Sequence, residues 1–380
     1  MQHRERTRDM ADMLVEQRQE LLLRELHATG AVRVAELAER FGVSTGTIRR
    51  DLQELADLGR LTKVRGGAIP VERAAPPASP SDAEPAAPAA PEPAPPAADR
   101  TLGLLVPSAT YYYPGAIAGV REVAARRGAR VVIGLTDTER PRDLSQIEEL
   151  CDSGVAGLLA ATTGPHHVPE ATLAALRDCG RPFVLMERQP LDEYEPCQYV
   201  ITDHRQGAFL AVKHLRSLGH ERVALYMTQT PTAPLVHEGW ADAVRALGLD
   251  QAAPAVDAGY NPLGSARATR QYDAFIDACL DGKVRAALVH SDHDAVEMLQ
   301  RLRARGLRSP EDLALIAYDD EIAALAEVPL TAVSPLKRQL GVLAAEMLLD
   351  QLDADPPAPR RVTIQPRLIV RRSCGGVAEE

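Results

Sequence analysis

The sequence predicts an α/β fold, a two-lobed doubly wound parallel-sheet domain preceded by a small helix-rich domain. Three observations carry that expectation. Beyond residue 100, short apolar runs alternate with amphipathic stretches, the pattern of parallel strands covered by helices on both faces. That region holds some 275 residues, more than one hydrophobic core comfortably serves. The composition also breaks sharply once, at an alanine- and proline-rich stretch that sets the first 70 residues apart from the rest.

The elements follow in chain order. Leu14, Leu21, Leu22 and Leu26 form a helical stripe that stops before Gly30. A short strand comes next, and "VRVAELAERFGVS" then sets Leu37, Ala38 and Phe41 at helical spacing before Gly42. Ser44 is placed to cap a helix from Thr45 to about Leu58, which Gly59 ends. "RLTKVRGGA" alternates Leu61 and Val64 with polar residues and closes on Gly66-Gly67, which predicts a hairpin. The stretch "AAPPASPSDAEPAAPAAPEPAPPAAD" offers little to bury and few backbone donors. It reads as a linker, about 30 Å long as a coil and about 90 Å when extended. In the large domain the strand-like runs are "TLGLLVP", "ARVVIGLT", "VAGLLAA", "RPFVLMER", "ERVALYM", "VRAALVHS" and "LALIAYDD", with helical stretches such as "GAIAGVREVAARRG" and "HRQGAFLAVKHLRSLG" between them. The predicted domains are 1–70, a linker at 71–99, and 100–374. Within the last, lobe 1 takes about 100–200 and 334–353, and lobe 2 about 202–333 and 360–374.

Composition excludes several classes. Hydrophobic residues make up 45% and charged residues 25%, as in ordinary globular chains. No run of about 18 apolar residues exists to span a membrane. The first twenty residues are charged throughout, unlike a secretory leader, so the expected location is cytoplasmic. Five cysteines, odd in number and without a C-x-x-C pair, argue against a disulfide framework or a structural zinc site.

Charge singles out one element. The chain carries a formal net charge of −10, yet residues 40–70 hold six basic side chains against three acidic ones. In a helix-turn-helix the second helix enters the major groove and offers its first residues to base edges. Here that helix begins Ser44-Thr45-Gly46-Thr47-Ile48-Arg49-Arg50. Ser44, Thr45 and Thr47 are short hydroxyl donors, and Arg49 and Arg50 can make bidentate bonds to guanine or phosphate. Ile48, Leu52 and Leu55 fall on the opposite, core-facing stripe. Such a local basic surface suits phosphates, while acidity elsewhere limits unspecific binding.

"ELAERFGVS", "TIRRDL", the "L..LG.L" spacing and "RGGA" give residues ~15–70 a close resemblance to the winged helix-turn-helix of the deoxyribose-operon repressor (DeoR) family. The resemblance implies binding to double-stranded operator DNA through Ser44, Thr45, Thr47, Arg49 and Arg50, with Lys63 and Arg65 on the wing. Gly46 departs from the larger residue usual at its position.

The sugar-phosphate-isomerase-like domain that usually follows this winged helix has no counterpart here. Instead residues ~100–374 resemble the effector-binding domain of the lactose/galactose-repressor (LacI/GalR) family, a relative of type I periplasmic sugar-binding proteins. The carriers include "LGLLVPSATYYYPGAIAGVREVAARRGARVVI", "VITDHRQGAFLAVKHLRSLGHERVALY", "ALVHSDHDAVEMLQRLRARGLRSPEDLALIAYDDE", "PLTAVSP" and "PRLIVRRS". The short hinge helix of that family is absent, and the proline-rich linker stands in its place. The resemblance implies a ligand cleft between lobes, at the C-terminal ends of strands. Residues expected there are Tyr111, Tyr112, Tyr113, Arg188, Asp203, Ser291, Asp292 and Asp319, with Tyr260 as an aromatic platform. Where the family carries an arginine this chain has Val236, with His237 as a partial replacement, and Ser291-Asp292 stands for the usual Asn-Asp pair. Three carboxylates suit the hydroxyls of a neutral sugar or oligosaccharide better than a phosphate.

Trp240, the only tryptophan, reads as core. "HSDHD" looks metal-like, but His293 and Asp294 are expected to start a helix, away from His290 and Asp292. A sugar-handling enzyme with a DNA-binding appendage would need a nucleophile or cofactor motif; no G-x-S-x-G, P-loop or G-x-G-x-x-G follows a strand. A sensor of a phosphorylated sugar or nucleoside is the other alternative. The expectation is therefore a dimeric, sugar-responsive transcriptional regulator, not an enzyme, that needs no cofactor or metal.

Overall fold

The computed structural model describes residues 32–33, 37, 43–57, 61–64, 67–70, 100–137 and 141–376. The chain divides into two compact units, Met1–Pro93 and Ala94–Glu380. The expected leucine stripe before Gly30, most of the helix around Leu37 and the linker at 71–99 lie outside the described residues.

In the first unit, β1 (Val32–Arg33), α1 (Thr45–Asp57), β2 (Leu61–Val64) and β3 (Gly67–Pro70) appear in order, and the strands form an antiparallel sheet, β1-β3-β2. Helix α1 starts where its cap predicts. The Thr47 amide donates to Ser44 Oγ at 3.1 Å. Ile48, Leu52 and Leu55 are buried as their spacing requires, together with Leu37 and Leu61.

The second unit begins with β4 (Thr101–Val106), α2 (Tyr113–Arg126), β5 (Arg130–Leu135), α3 (Asp143–Asp152), β6 (Gly157–Ala160), β7 (His167–Val168), α4 (Glu170–Asp178), β8 (Phe183–Met186), β9 (Gln189–Pro190) and β10 (Gln198–Thr202). It continues through α5 (His204–Ser217), β11 (Ala224–Met227), α6 (Ala233–Ala246), β12 (Ala255–Asp257), α7 (Ala266–Asp281), β13 (Ala286–His290), α8 (Asp292–Ala304), β14 (Ala314–Tyr318) and β15 (Thr331–Ser334). It closes with α9 (Lys337–Gln351), β16 (Arg361–Ile364) and β17 (Arg367–Ile369).

These strands build two six-stranded sheets, ordered β16-β10-β8-β6-β4-β5 and β12-β11-β13-β14-β15-β17. All pairs are parallel except β15 with β17. Central strands β6, β13 and β14 are buried at every position, which explains their unbroken apolar runs. Edge strands β5 and β12 are largely exposed. Helices cover both faces of each sheet. In lobe 1, α2 and α9 share one core, while α3 and α4 contribute to another. In lobe 2, α5 and α6 cover one face, and α7 and α8 the other.

The chain passes between the sheets after β10, after β15 and after β16. The strand Arg361–Ile364 pairs with β10, so it belongs to lobe 1, not to lobe 2 as the sequence suggested. The lobes hold themselves together by close helix crossings. A Cβ on Gly119 or Gly341 would collide with the carbonyl oxygens of Arg338 and Ala116, so α2 and α9 cross backbone to backbone. Gly239 plays the same part where α6 meets Arg205 on α5.

One cysteine expectation is corrected. Cys151 and Cys179 form a disulfide, with Cα atoms 5.9 Å apart. They sit at the C-terminal ends of α3 and α4, which pack side by side on one sheet face. Parallel α/β winding stacks such ends together, a proximity that a separation of 28 residues does not reveal. Cys197, Cys279 and Cys374 are free and buried.

Candidate functional site

In the first unit the expected reading surface follows from the cap. Ser44, Gly46 and Arg50 are exposed and Thr47 is partly so. Ser44 and Thr47 share a hydroxyl contact at 2.9 Å, which sets both at the start of α1. Thr45 and Arg49 lie on the same helix and Lys63 on β2, but their side chains are outside the described ones, and Arg65 is outside altogether.

In the second unit, the C-terminal ends of both parallel sheets converge on one cleft. A cavity of about 330 Å³ there is lined by Tyr111, Tyr112 and Tyr113 after β4, Thr163 after β6, and Glu187 and Arg188 after β8. Lobe 2 supplies Thr230, Pro231 and Thr232 after β11, His290 and Ser291 at the end of β13, and Asp319 after β14. Three of the residues around it, Tyr112, Glu187 and Asp319, hold left-handed backbone conformations with φ of 64°, 54° and 71°. Non-glycine residues adopt that region at a cost, and such positions gather where a site needs an exact side-chain direction.

The lobes are clasped across this cleft. The Tyr111 hydroxyl lies 2.9 Å from Asp292 Oδ1 and 3.2 Å from Asp319 Oδ2. Asp292, fully buried, also accepts from the amides of Glu321 and Ile322 at 2.8 and 2.7 Å. From lobe 1, Lys337 at the start of α9 pairs with Glu321, stands 3.9 Å from Asp319 Oδ1, and covers the Tyr112 ring at 4.7 Å. Burial pushes the Asp319 carboxyl above the usual carboxylate range; Lys337 opposes that rise and Asp292 adds to it.

Glu187 anchors the other wall. Its carboxylate accepts from Tyr112 and Thr202 hydroxyls at 2.6 Å each, from the Thr202 amide at 3.0 Å, and faces His204 Nε2 at 3.3 Å. Burial pushes this carboxyl up, but the bonds from His204, Thr202 and Tyr112 outweigh it and hold it at about 2. The His204 ring then bridges to Tyr318, 3.0 Å from Nδ1. Burial pulls His290 down to about 4, so it is neutral at pH 7, with Thr230 and Thr232 hydroxyls at 3.5 and 3.2 Å.

Two groups around the cavity are left open. The buried Arg188 guanidinium gives Nη1 to the Glu187 carbonyl at 2.8 Å, while its Nε has no hydrogen-bond partner. Asp319 Oδ1 is also without one. A buried donor or acceptor left unmade costs about 1–3 kcal/mol.

Six of the ten residues expected in the cleft thus line one cavity: the three tyrosines, Arg188, Ser291 and Asp319. Asp292 stands just behind it, holding Tyr111. Asp203 caps α5, its Oδ1 accepting from the Gln206 amide at 2.9 Å, and borders a neighbouring cavity instead. Two expectations are corrected. His237 is exposed on α6, turned outward because Val236 and Trp240 beside it face the core. Val236 is fully buried, so the position of the absent arginine serves packing here. Tyr260 is 59% exposed after the edge strand β12 and lines neither cavity. Trp240 is core as expected, its Nε1 donating to the Val223 carbonyl at 3.0 Å. In "HSDHD", Asp294 instead closes a capping box with Ser291, and among the described residues no cluster could hold a metal. Sequence reasoning missed Glu187, Thr163, Thr230, Thr232, His204 and Lys337. All of them lie within five residues of a strand's C-terminal end, and Glu187 directly follows its strand, the one signal available.

Residues 18–74 match the DeoR-like helix-turn-helix domain, and residues 212–374 the periplasmic binding protein-like domain. The chain joins a DeoR-like reading head to a periplasmic-binding-protein-like sensor. It is 25% identical over 347 residues to the arabinose metabolism transcriptional repressor of Geobacillus stearothermophilus, covering 89% of each chain. It is 28% identical over 280 residues to the ribose operon repressor of Escherichia coli K12, covering 72% of this chain and 82% of that one. Among solved structures, the sensor shares its fold with a LacI family regulator from Enterococcus faecium with bound ribose, at a TM-score of 0.60 and 22% identity over 72% of this chain and 98% of the other. A CelR–cellobiose complex aligns at 0.61 and 23% identity over 87% of this chain and 91% of its own. The hybrid is a DNA-binding transcriptional regulator, not an enzyme: its reading head matches a helix-turn-helix domain, and the chain is similar to named transcriptional repressors.

Proposed function

We propose that the hybrid is a cytoplasmic, homodimeric repressor whose operator affinity is set by a neutral sugar held between the sensor lobes. The observation that carries this reading is the pair of unmet groups in the tyrosine-walled cavity. Arg188 Nε is a donor and Asp319 Oδ1 an acceptor, both closed to solvent in this arrangement, and sugar hydroxyls can answer both once the lobes part. Tyrosine rings suit the apolar faces of a sugar ring. A phosphate there would meet Asp319 and the ionised Glu187, which disfavours a phosphorylated effector. Two relatives are named as repressors of arabinose metabolism and of the ribose operon, which supports the repressor reading.

Control follows from the clasp. Tyr111 and Lys337 already occupy oxygens of the lobe 2 carboxylates, so a sugar must join or displace them. Binding moves the lobes only to the extent that it favours one arrangement over the other. A homodimer would offer two reading helices to a pseudo-palindromic or repeated operator, with Ser44, Thr45, Thr47, Arg49 and Arg50, and Lys63 and Arg65 of the wing, as the residues that contact bases or phosphates. A thermal-shift screen of the full chain against neutral and phosphorylated saccharides tests the effector reading. A neutral sugar at a hundred times its dissociation constant should stabilise the sensor by about 2.7 kcal/mol. Stabilisation by phosphorylated sugars alone would contradict it.

A further inference from the structure

A second cavity, of about 450 Å³, adjoins the tyrosine-walled one and shares Glu187, Arg188 and Thr232 with it. We infer that the effector is a two-ring neutral saccharide, one ring against the tyrosines and the second beyond Arg188. This inference rests on the sugar reading above and adds the size of the ligand to it.

The two compartments differ in chemistry. The first is walled by tyrosine and proline rings, which suits the apolar face of one sugar ring. The second carries His166, His167, Gln189 and Asp203. Burial, and then the neighbouring His167, pulls His166 down to about 4, so near pH 7 it is a neutral ring that donates at one nitrogen and accepts at the other. His167 and Gln189 stand side by side, their Nε2 atoms 3.3 Å apart. Asp203, whose Oδ1 caps α5, lines the same wall. Mixed donors and acceptors of this kind fit a ring bearing several hydroxyls. They do not favour an anion, because Arg205, the cation on this wall besides Arg188, is already bonded to Asp242 and Glu238.

The junction supplies the remaining argument. Arg188 lines both compartments, and its unpartnered Nε is a donor only. The oxygen linking two sugar rings is an acceptor only. A disaccharide seated across the junction brings that oxygen to the guanidinium and fills both compartments, whereas a single ring can offer only a hydroxyl or its ring oxygen there and leaves one compartment empty.

Calorimetry on the full chain tests this with cellobiose, maltose, lactose and melibiose, each beside its own monosaccharides. At least one disaccharide should bind about thirtyfold more tightly than either of its components, the worth of two ordinary hydrogen bonds. His167→Ala should narrow that ratio about tenfold, whereas Tyr111→Ala should weaken both sugars alike. Gln189→Ala serves the same purpose should His167→Ala fail to fold. A monosaccharide that binds as tightly as every disaccharide, or a ratio unmoved by both second-compartment variants, would overturn the two-ring assignment while leaving the sugar reading intact. Absence of binding by every sugar would overturn the sugar reading itself and this inference with it.

Discussion

The reading helix and the effector cleft hold their polar groups in opposite ways. On α1, Ser44 and Arg50 stand in solvent, and the helix is fixed from behind by Ile48, Leu52 and Leu55. In the cleft, Glu187, Asp292, His204 and Asp319 are buried and bonded to other protein groups, several of them across the two lobes. The first surface awaits a polyanion from outside, so losing a side chain there removes a contact and spares the fold. In the second, each group supports its neighbours, so losing one weakens binding and folding together, and a ligand competes with partners already in place.

The largest expected separation of these behaviours comes from the double substitution Arg49→Ala with Arg50→Ala. Specific operator binding should fall by about a hundredfold or more, on about 1–3 kcal/mol for each bidentate contact, while the sensor melts unchanged. Wild-type operator affinity at matched salt would break the comparison on the DNA side. Asp292→Ala should do the reverse. It strips the acceptor from Tyr111 and from two backbone amides, so chemical denaturation should show a loss of about 3 kcal/mol and calorimetry a sugar affinity down by tenfold or more. Normal stability in that variant would mean that the clasp does not hold the lobes.

Acid sharpens the same point. His290 is held neutral in the folded sensor down to about 4, whereas an unfolded histidine takes its proton near pH 6.5. The unfolded state therefore binds more protons between those values. Stability should decline as pH falls through that window, by up to about 1.4 kcal/mol per pH unit from this one group. Glu187 adds its own loss only lower, as pH falls from the ordinary glutamate value toward about 2. His290→Gln should reduce the first slope by one group's share, leaving that of His166, which burial also holds down to about 4, and spare the second; an unchanged slope in a pH series of melts would show that His290 is not a source. The smallest effect is expected from deleting residues 78–92. Preferred half-site spacing should shift in binding-site selection, while sugar affinity stays within about twofold. Equal damage to both would make the linker part of the sensor.

The same contrast explains what could be read from sequence. The reading head is one continuous stretch, so its cap, its apolar stripe and its hairpin all fall within residues 44–70, and the turn chemistry fixes their order. The sensor's central strands were equally legible, because strands buried on both faces are unbroken apolar runs. Short edge strands such as Ala255–Asp257 and Arg361–Ile364 are less so, since they are exposed at alternate positions and carry no unbroken apolar run. The cleft is assembled from strand ends scattered from Tyr111 to Asp319, and the sequence shows only that a residue follows a strand. Which way it turns depends on neighbours elsewhere: His237 was lost to solvent by the rotation of α6, and Glu187, one step before the expected Arg188, was overlooked although four bonds converge on it.

The central claim is that a neutral sugar in the cleft sets the affinity for DNA. Fluorescence anisotropy of the full-length protein on DNA from its own promoter, at fixed salt and with saccharides titrated in, tests it most directly. One neutral saccharide should change operator affinity by about tenfold or more, a coupling of ordinary size. Asp319→Asn, a change that the left-handed backbone at this position tolerates, should abolish that response without altering DNA affinity in the absence of sugar. An operator affinity that no neutral saccharide moves, or that only a sugar phosphate moves, would contradict the account.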